Sequence, residues 1–382
     1  MRVLSVVSVL SSAEGGGNAE RVFQLTKSLT NNGVQCVVVT LDIGDLDERA
    51  TSLKPSNLIA LPCLSKRYHV PAVNVAKLVR LVKSSDIVHM MGYWSPLAVI
   101  IGFIARKVGV PYVVSPGGAL PIIGRSAALK RLFDRFIGDD FLRKASGWIA
   151  ITPKEIPDFV ARGIKPQQLK ILPNGVQDQE IVLINDDEPQ KHSSSCEFKQ
   201  IILFVGRLNP VKGPDLLIES FSLIHNTFPD CGLIMVGPDE GMRHALRKRC
   251  DALGIARKVK FLGFVPPRSR SKFYQKANFL VVPSRSEAMS IVALEAGAVA
   301  TPVLMTNQCG LDELKEIDPR LIVPVDVQSI ASSMSHLLSD AERTRNWGIT
   351  WQNMVKERFL WSTLSLRFEE YLRSLSKTSK KH

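Results

Sequence analysis

The stretch Ile201-Ile202-Leu203-Phe204-Val205-Gly206-Arg207-Leu208-Asn209-Pro210-Val211-Lys212-Gly213-Pro214 decides how this chain folds. Five apolar residues in a row, stopped by glycine, read as a strand buried on both faces, as strands of parallel sheets do. Gly206 and Gly213 bracket a loop. Pro214 suits a first helical turn, where the N–H it lacks would be unpaired anyway. Arg207 and Lys212, five residues apart, then stand at the carboxyl end of a buried strand, where ligands of parallel α/β sheets bind. Glycine-flanked cations in that position favour an anion site over solvated surface charge.

The alternation continues toward higher numbers: helix 214–226, strand 232–236, helix 240–253, strand 259–262, helix 268–276, strand 279–282, helix 290–299, strand 302–305 and a last strand near 321–325. Residues 179–199 (QEIVLINDDEPQKHSSSCEFK) break the pattern with proline, serines and charge, and read as a linker. Before it the pattern recurs, as strand 3–10, Gly15-Gly16-Gly17, a helix with Ala19, Val22, Phe23, Leu25 and Leu29, a stop at Asn32-Gly33, and strand 36–41. Further strand candidates are 87–90, 112–115, 148–151 and 170–172. Residues 362–376 read as an amphipathic helix and 377–382 as a frayed basic end. Two doubly wound parallel sheets in tandem follow.

The 382 residues, 45% hydrophobic and 22% charged, leave no case for global disorder. Cysteines at 36, 63, 196, 231, 250 and 309 form no C-x-x-C pair, which argues against a zinc site or a redox motif. No apolar run approaches the roughly 20 residues of a spanning helix. The N-terminal segment, broken by serines, reads as a buried strand rather than a signal peptide. Asp45-Leu46-Asp47 lies in a polar loop and is not expected to hold a metal. The histidines form no H-x-x-x-H pair, and His89, at a strand end, is the one placed near a cleft. The net charge of +13 is concentrated between residues 66 and 170, which carry 17 basic and 6 acidic side chains. That field favours an anionic membrane leaflet or a phosphorylated substrate; without aromatic interleaving it does not suggest nucleic acid.

Two more segments complete the chemistry. Gly15-Gly16-Gly17 after a buried strand lets backbone amides approach an anion, although Glu20 stands where a dinucleotide fingerprint needs its third glycine. Pro283-Ser284-Arg285-Ser286-Glu287-Ala288-Met289-Ser290-Ile291-Val292-Ala293-Leu294-Glu295-Ala296-Gly297 carries one carboxylate in a loop and another on the following helix. The amides of Met289, Ser290 and Ile291 would be unpaired first-turn donors suited to phosphate. Glu295 is otherwise puzzling in so apolar a context.

Together GGGNAERV, IVHMMGYWSP (87–96), PYVVSPGGALP (111–121), ILPNGV (171–176), GRLNPVKG (206–213), the Glu287/Glu295 segment, Thr301-Pro302-Val303 and Cys309-Gly310-Leu311-Asp312-Glu313-Leu314 resemble the retaining glycosyltransferases of family 4, or group 1. The resemblance runs along nearly the whole chain. It implies a GT-B fold: two Rossmann-like α/β domains facing a cleft, an acceptor domain at 1–178 completed by helix 362–376 packing back on it, a linker at 179–199, and a nucleotide-sugar domain at 200–361. It implies that Arg207 and Lys212 grip a diphosphate, that Glu295 bonds the ribose, and that Glu287 with the backbone of Met289, Ser290 and Ile291 holds sugar and phosphates. Gly16 and Gly17 would reach the diphosphate from the first domain, and the Val265 backbone would contact the base. The usual E-G-F-G appears as Glu287-Ala288-Met289-Ser290, and Gly117 replaces a polar residue in Ser115-Pro116-Gly117-Gly118; both changes bear on sugar preference.

The resulting expectation is a cytoplasmic, metal-independent, retaining transferase without cofactor, using a nucleotide-diphosphate sugar (UDP- or GDP-linked) and a glycan or lipid-linked acceptor. The stretch 125–144, with Arg125, Lys130, Arg131, Arg135, Arg143 and Lys144 beside Leu129, Leu132, Phe133 and Phe136, would meet the anionic inner face of the cytoplasmic membrane. A nucleotide-sugar epimerase, a soluble disaccharide synthase, and a non-catalytic nucleotide-sugar-binding subunit remain the alternatives.

Overall fold

A computed structural model describes residues 1–53, 57–122, 126–181 and 198–379. The chain divides into two units, Met1–Asn174 with Trp361–His382, and Gly175–Leu360.

In the first unit the apolar runs become seven parallel strands: β1 (Arg2–Val7), β2 (Gln35–Leu41), β3 (Leu58–Leu61), β4 (Ile87–Met91), β5 (Tyr112–Ser115), β6 (Gly147–Ala150) and β7 (Leu169–Ile171). They lie in the order β3-β2-β1-β4-β5-β6-β7. On one face pack Leu97 and Ile101 of the helix Pro96–Val108, with Val6, Val39 and Met90. On the other pack Leu25 and Leu29 of the helix Gly16–Asn31 and Trp361, Leu364, Phe368 and Leu372 of the helix Trp361–Ser379. The Ser28 hydroxyl clips the two helices together, donating to Trp361 O at 3.0 Å and lying within hydrogen-bond distance of Ser365 Oγ at 2.9 Å.

Strand 3–10 stops at Val7; Val9 and Leu10 are buried without being strand, because apolar character reports burial and not backbone state. The half-exposed edge strand β3 and the ribbon pairing Cys63–Ser65 with Val70–Pro71 are too short for a periodicity to mark them. The expected first-domain boundary at 178 moves to Asn174. The Arg21 guanidinium ties Leu172 O, Pro173 O and Asn174 Oδ1 to the first unit, whereas the Val176 N–H already donates to Phe359 O at 2.9 Å in the second. The last helix begins at Trp361 and continues to Ser379, so residues 377–379, expected to be frayed, are helical; residues 380–382 lie outside the described residues. Within the expected linker, residues 182–197 lie outside the described residues, Cys196 and His192 among them.

The second unit repeats the design with six parallel strands: β8 (Gln200–Val205), β9 (Cys231–Val236), β10 (Val259–Gly263), β11 (Phe279–Val282), β12 (Val303–Thr306) and β13 (Ile322–Val323), in the order β10-β9-β8-β11-β12-β13. Strand order reverses between β8 and β11. At such a switch point the loops leaving two adjacent strands diverge and open a crevice at their carboxyl ends. The loops that follow β8 and β11 are the two the sequence singled out.

Candidate functional site

The loop after β8 is built by its glycines. Gly213 has φ +66°, and a Cβ there would collide with Pro283 O; only glycine lets this loop close onto the one after β11. Arg285 then laces the two together: its N–H donates to Val211 O at 2.7 Å, and its guanidinium reaches Pro210 O at 2.6 Å and forks onto the Asp215 carboxylate at 2.9 and 2.6 Å. Asn209 caps the short turn 210–212, accepting from the Lys212 N–H at 2.9 Å.

This stitching brings Lys212 onto Glu287, whose Oε1 takes both the Lys212 ammonium and the Ser284 hydroxyl (2.9 Å). The Glu287 side chain is 8% exposed and that of Lys212 26%, so the pair is shielded but open on the cationic side. A third loop supports it from behind. Glu287 N–H donates to Gln308 O at 2.9 Å, and Gly310, at φ +69°, fits against Ala288 O where a Cβ would overlap that oxygen. Cys309 is buried there and its thiol is pushed up to about 12, first by burial and then by Glu287, which makes it an inert packing group.

Arg207 leaves the same loop on the other side. Its guanidinium donates to Glu240 Oε1 at 2.7 Å, and Asn209 Nδ2 donates to Glu240 Oε2 at 2.7 Å. Arg207 is 42% exposed, so this cation is accessible to a ligand. Sequence reasoning missed Glu240; only the tertiary fold brings it 33 residues back to the arginine.

The helix after β11 runs Ile291–Ala298. It is clamped by the helix Ala341–Arg358, whose Trp351 Nε1 donates to Ala293 O at 2.9 Å and whose ring fills the space a Cβ on Gly297 would need. The Ser290 N–H, expected to be a free first-turn donor, donates to Cys309 O at 3.0 Å, because the helix begins one residue later. Its hydroxyl is buried and has no hydrogen-bond partner among the described residues. Met289 is buried beside it.

Glu295 forms a separate group. Tyr274, buried, donates its hydroxyl to Glu295 Oε2 at 2.6 Å, and Arg270 Nη1 lies 3.5 Å from Oε1. Burial and the Glu295 charge hold the Tyr274 hydroxyl well above the ordinary tyrosine range. Arg270 Nε also donates to Val265 O at 3.2 Å, so the carbonyl of Val265, whose backbone is expected to contact the base, is engaged within the protein. The sequence signal for this pair is its i, i+4 spacing on the helix Pro267–Lys276, directly after Val265.

In the first unit, Gly16 and Gly17 are themselves the first residues of their helix rather than a loop before it. Gly16 has φ +61°, with open space where a Cβ would be. Gly117, at φ +63°, abuts Asn18 of that helix: a Cβ there would lie 2.5 Å from Asn18 Oδ1. Glu155, not singled out in the sequence, is buried and accepts from Gly118 N at 2.6 Å and Ile151 N at 2.5 Å, fixing the Ser115–Gly118 turn. His89, expected to be placed for a cleft, is fully buried, 4.9 Å edge-on from Phe368, with Nε2 on Ser115 Oγ at 2.9 Å.

Known families match both parts of the chain. The family model for glycosyl transferases group 1 matches residues 186–354, and that for the glycosyl transferase 4-like domain matches residues 16–175. An uncharacterised glycosyltransferase of Methanocaldococcus jannaschii is 32% identical over 224 residues, covering 54% of this chain and 53% of the relative, so the chain spans about half of that protein's length. A D-inositol 3-phosphate glycosyltransferase of Acidothermus cellulolyticus is 28% identical over 335 residues, covering 80% of this chain and 74% of that one. The crystal structure of Anabaena HepE in complex with UDP and glucose superposes with a TM-score of 0.78 at 18% identity, covering 98% of this chain and 100% of HepE. The two-domain α/β architecture is thus the GT-B fold.

Proposed function

The chain belongs to the group 1 glycosyltransferases, and from that premise we propose that it moves a sugar from a nucleotide-diphosphate sugar, with retention and without a metal, to a lipid-linked or cell-surface polysaccharide acceptor. The observation that carries this reading is the Lys212–Glu287 pair, with the accessible Arg207 on the same loop after β8, at the switch point of the second sheet. When the bond from the sugar C1 to the diphosphate oxygen breaks, negative charge gathers on the leaving phosphate. Two fixed cations and the N-terminus of the helix Ile291–Ala298 stabilise that charge, and preorganised charge stabilisation of this kind usually lowers the barrier more than any other single effect. The Ser290 hydroxyl supplies a buried donor for a phosphate oxygen, and Glu287 accepts from a sugar hydroxyl while holding Lys212 in place. In the retaining step the acceptor oxygen forms its bond to C1 on the face the diphosphate leaves. The acceptor's proton passes to the departing phosphate oxygen, so no protein base is required. The HepE complex with UDP and glucose favours a UDP-sugar, with GDP the next choice.

A thermal-shift screen of UDP-, GDP-, ADP- and CDP-sugars should raise the melting temperature with a UDP- or GDP-sugar only. Arg207→Ala should then lower transfer by about 10²–10³-fold, measured as nucleoside diphosphate release, with the melting temperature nearly unchanged. No shift with any of the four nucleotides overturns the reading. The relative named for D-inositol 3-phosphate makes a small phosphorylated acceptor the runner-up; release of nucleoside diphosphate without any lipid-linked glycan favours it, or an epimerase.

The acceptor reading draws on a surface of the first unit. Along residues 127–143, Leu129, Leu132, Phe136 and Ile137 are exposed, as is Phe103 on the neighbouring helix. Arg131, Arg135, Arg143 and Lys144 stand exposed among them. Phe133, expected on this surface, instead turns inward onto Tyr93 and Trp94, and Arg125 lies outside the described residues. Apolar tips ringed by cations suit an anionic lipid leaflet. Among the described residues, no helix is long and apolar enough to cross a membrane.

A further inference from the structure

A second cationic stretch lies in the second unit. Residues 243–276 carry 11 basic side chains and a single acidic one, Asp251. They form the helix Arg243–Ala252, the edge strand β10 and the helix Pro267–Lys276. We propose that this rim of the second sheet is a binding surface for a linear anionic polysaccharide, so that the acceptor chain itself carries acidic groups. The proposal rests on the polysaccharide-acceptor reading above and adds the acceptor's charge to it.

Part of this charge is spent inside the protein. Arg249 forks onto the Glu219 carboxylate, and Arg243 Nη2 donates to Phe261 O at 3.0 Å. Arg247, Lys248, Arg257 and Lys272 are exposed, and no carboxylate pairs with them among the described residues. Clustered cations of this kind raise the local potential and draw a polyanion. Their layout selects which one. Right-handed crossovers put the two helices on opposite faces of the sheet. The first lies against the helix Pro214–Ile224 through Arg249 and Glu219, the second against the helix Ile291–Ala298 through Tyr274 and Glu295. The charge therefore runs around the edge of the sheet instead of over one plane. A flat lipid leaflet meets one plane only, whereas a flexible chain follows the edge. Arg247 covers the Phe261 ring at 5.8 Å and Lys260 the Phe198 ring at 5.0 Å. Phe264 is left as the one exposed ring of the rim among the described residues, too few to stack successive nucleobases. Strand β10 stands two strands from β8, about 10 Å at the usual spacing, so a chain held here lies near the loop of Arg207 and Lys212.

The test uses the full chain and four probes: labelled polygalacturonate, neutral dextran of the same length, a single-stranded oligonucleotide of the same charge, and phosphatidylglycerol vesicles. At low salt wild type should bind polygalacturonate and not dextran, and about 0.5 M salt should weaken that binding at least about tenfold. Arg247→Glu with Lys248→Glu and Lys272→Glu should also weaken it at least about tenfold. The corresponding triple change to glutamine stands in if the glutamate variant fails to fold, and should weaken binding about threefold or more. Arg131→Glu with Arg135→Glu and Lys144→Glu, which removes the same charge from the first unit, should change it less than about twofold. The rim variant should keep its donor KM within about twofold, because none of its three positions belongs to the donor site. Polygalacturonate left unbound by wild type, or bound equally by wild type and the rim variants, overturns the assignment while a donor that still raises the melting temperature keeps the transferase reading. Rim-dependent binding that is tighter for the oligonucleotide or the vesicles overturns it in favour of nucleic acid or membrane. Failure to bind any nucleotide sugar would sink the transferase reading and leave the polymer measurement standing on its own.

Discussion

Lys212 and Glu287 show how one contact serves both folding and chemistry. With the carboxylate only 8% exposed, its charge is tolerable because the ammonium and the Ser284 hydroxyl share it. Removing the cation alone leaves a shielded, uncompensated carboxylate. Lys212→Ala should therefore destabilise the protein by about 1–3 kcal/mol, and Lys212→Ala with Glu287→Ala by less than the sum of the two single changes, as read by denaturant unfolding. Equal, additive losses would mean that the pair is not coupled. The cation at 212 was legible from its loop and glycines, because those are local signals. Its partner's identity was legible only as a carboxylate in the next loop, and the Arg207–Glu240 and Arg285–Asp215 pairs were not legible at all, since sequence separation says nothing about which loops a switch point juxtaposes.

At the scale of elements, β4 carries its histidine inward. His89 is sealed by the helix Trp361–Ser379, and burial, with Arg21 nearby, holds its pKa down at about 3 against 6.5. The unfolded chain therefore binds a proton below pH 6.5 that the folded one refuses. Stability from this site is complete above pH 6.5 and falls as pH drops toward 3, by about 2 kcal/mol at pH 5. Glu155 works the other way, because burial raises its pKa and protonation relieves it. Comparing wild type with His89→Leu isolates the histidine: unfolding free energy should fall about 2 kcal/mol less between pH 7 and pH 5 in the variant. Equal slopes would show a solvated imidazole. The helix that buries His89 was visible as an amphipathic pattern in the sequence, but not the strand it would cover.

For the whole molecule, the charge of +13 and the exposed apolar residues of 127–143 make one prediction. The protein should co-sediment with phosphatidylglycerol vesicles at low salt and be released near 0.5 M salt, where the Debye length drops to about 4 Å. Leu132→Ser with Phe136→Ser should weaken binding severalfold, with the fold intact by circular dichroism. Wild type left entirely in the supernatant at low salt would remove the membrane from the proposal.

Local pattern alone determined the two parallel sheets, the glycine-bracketed cations after β8 and the carboxylates after β11, because burial on both faces writes continuous apolar runs and loops write their own turn residues. Tertiary structure alone decided where the first unit ends, that Glu295 is held by Tyr274 and Arg270, that the Ser290 amide is spent on Cys309, and that His89 is core. Each of those depends on which distant segments the strand order and helix packing bring within hydrogen-bond reach, and no local window of sequence contains that information.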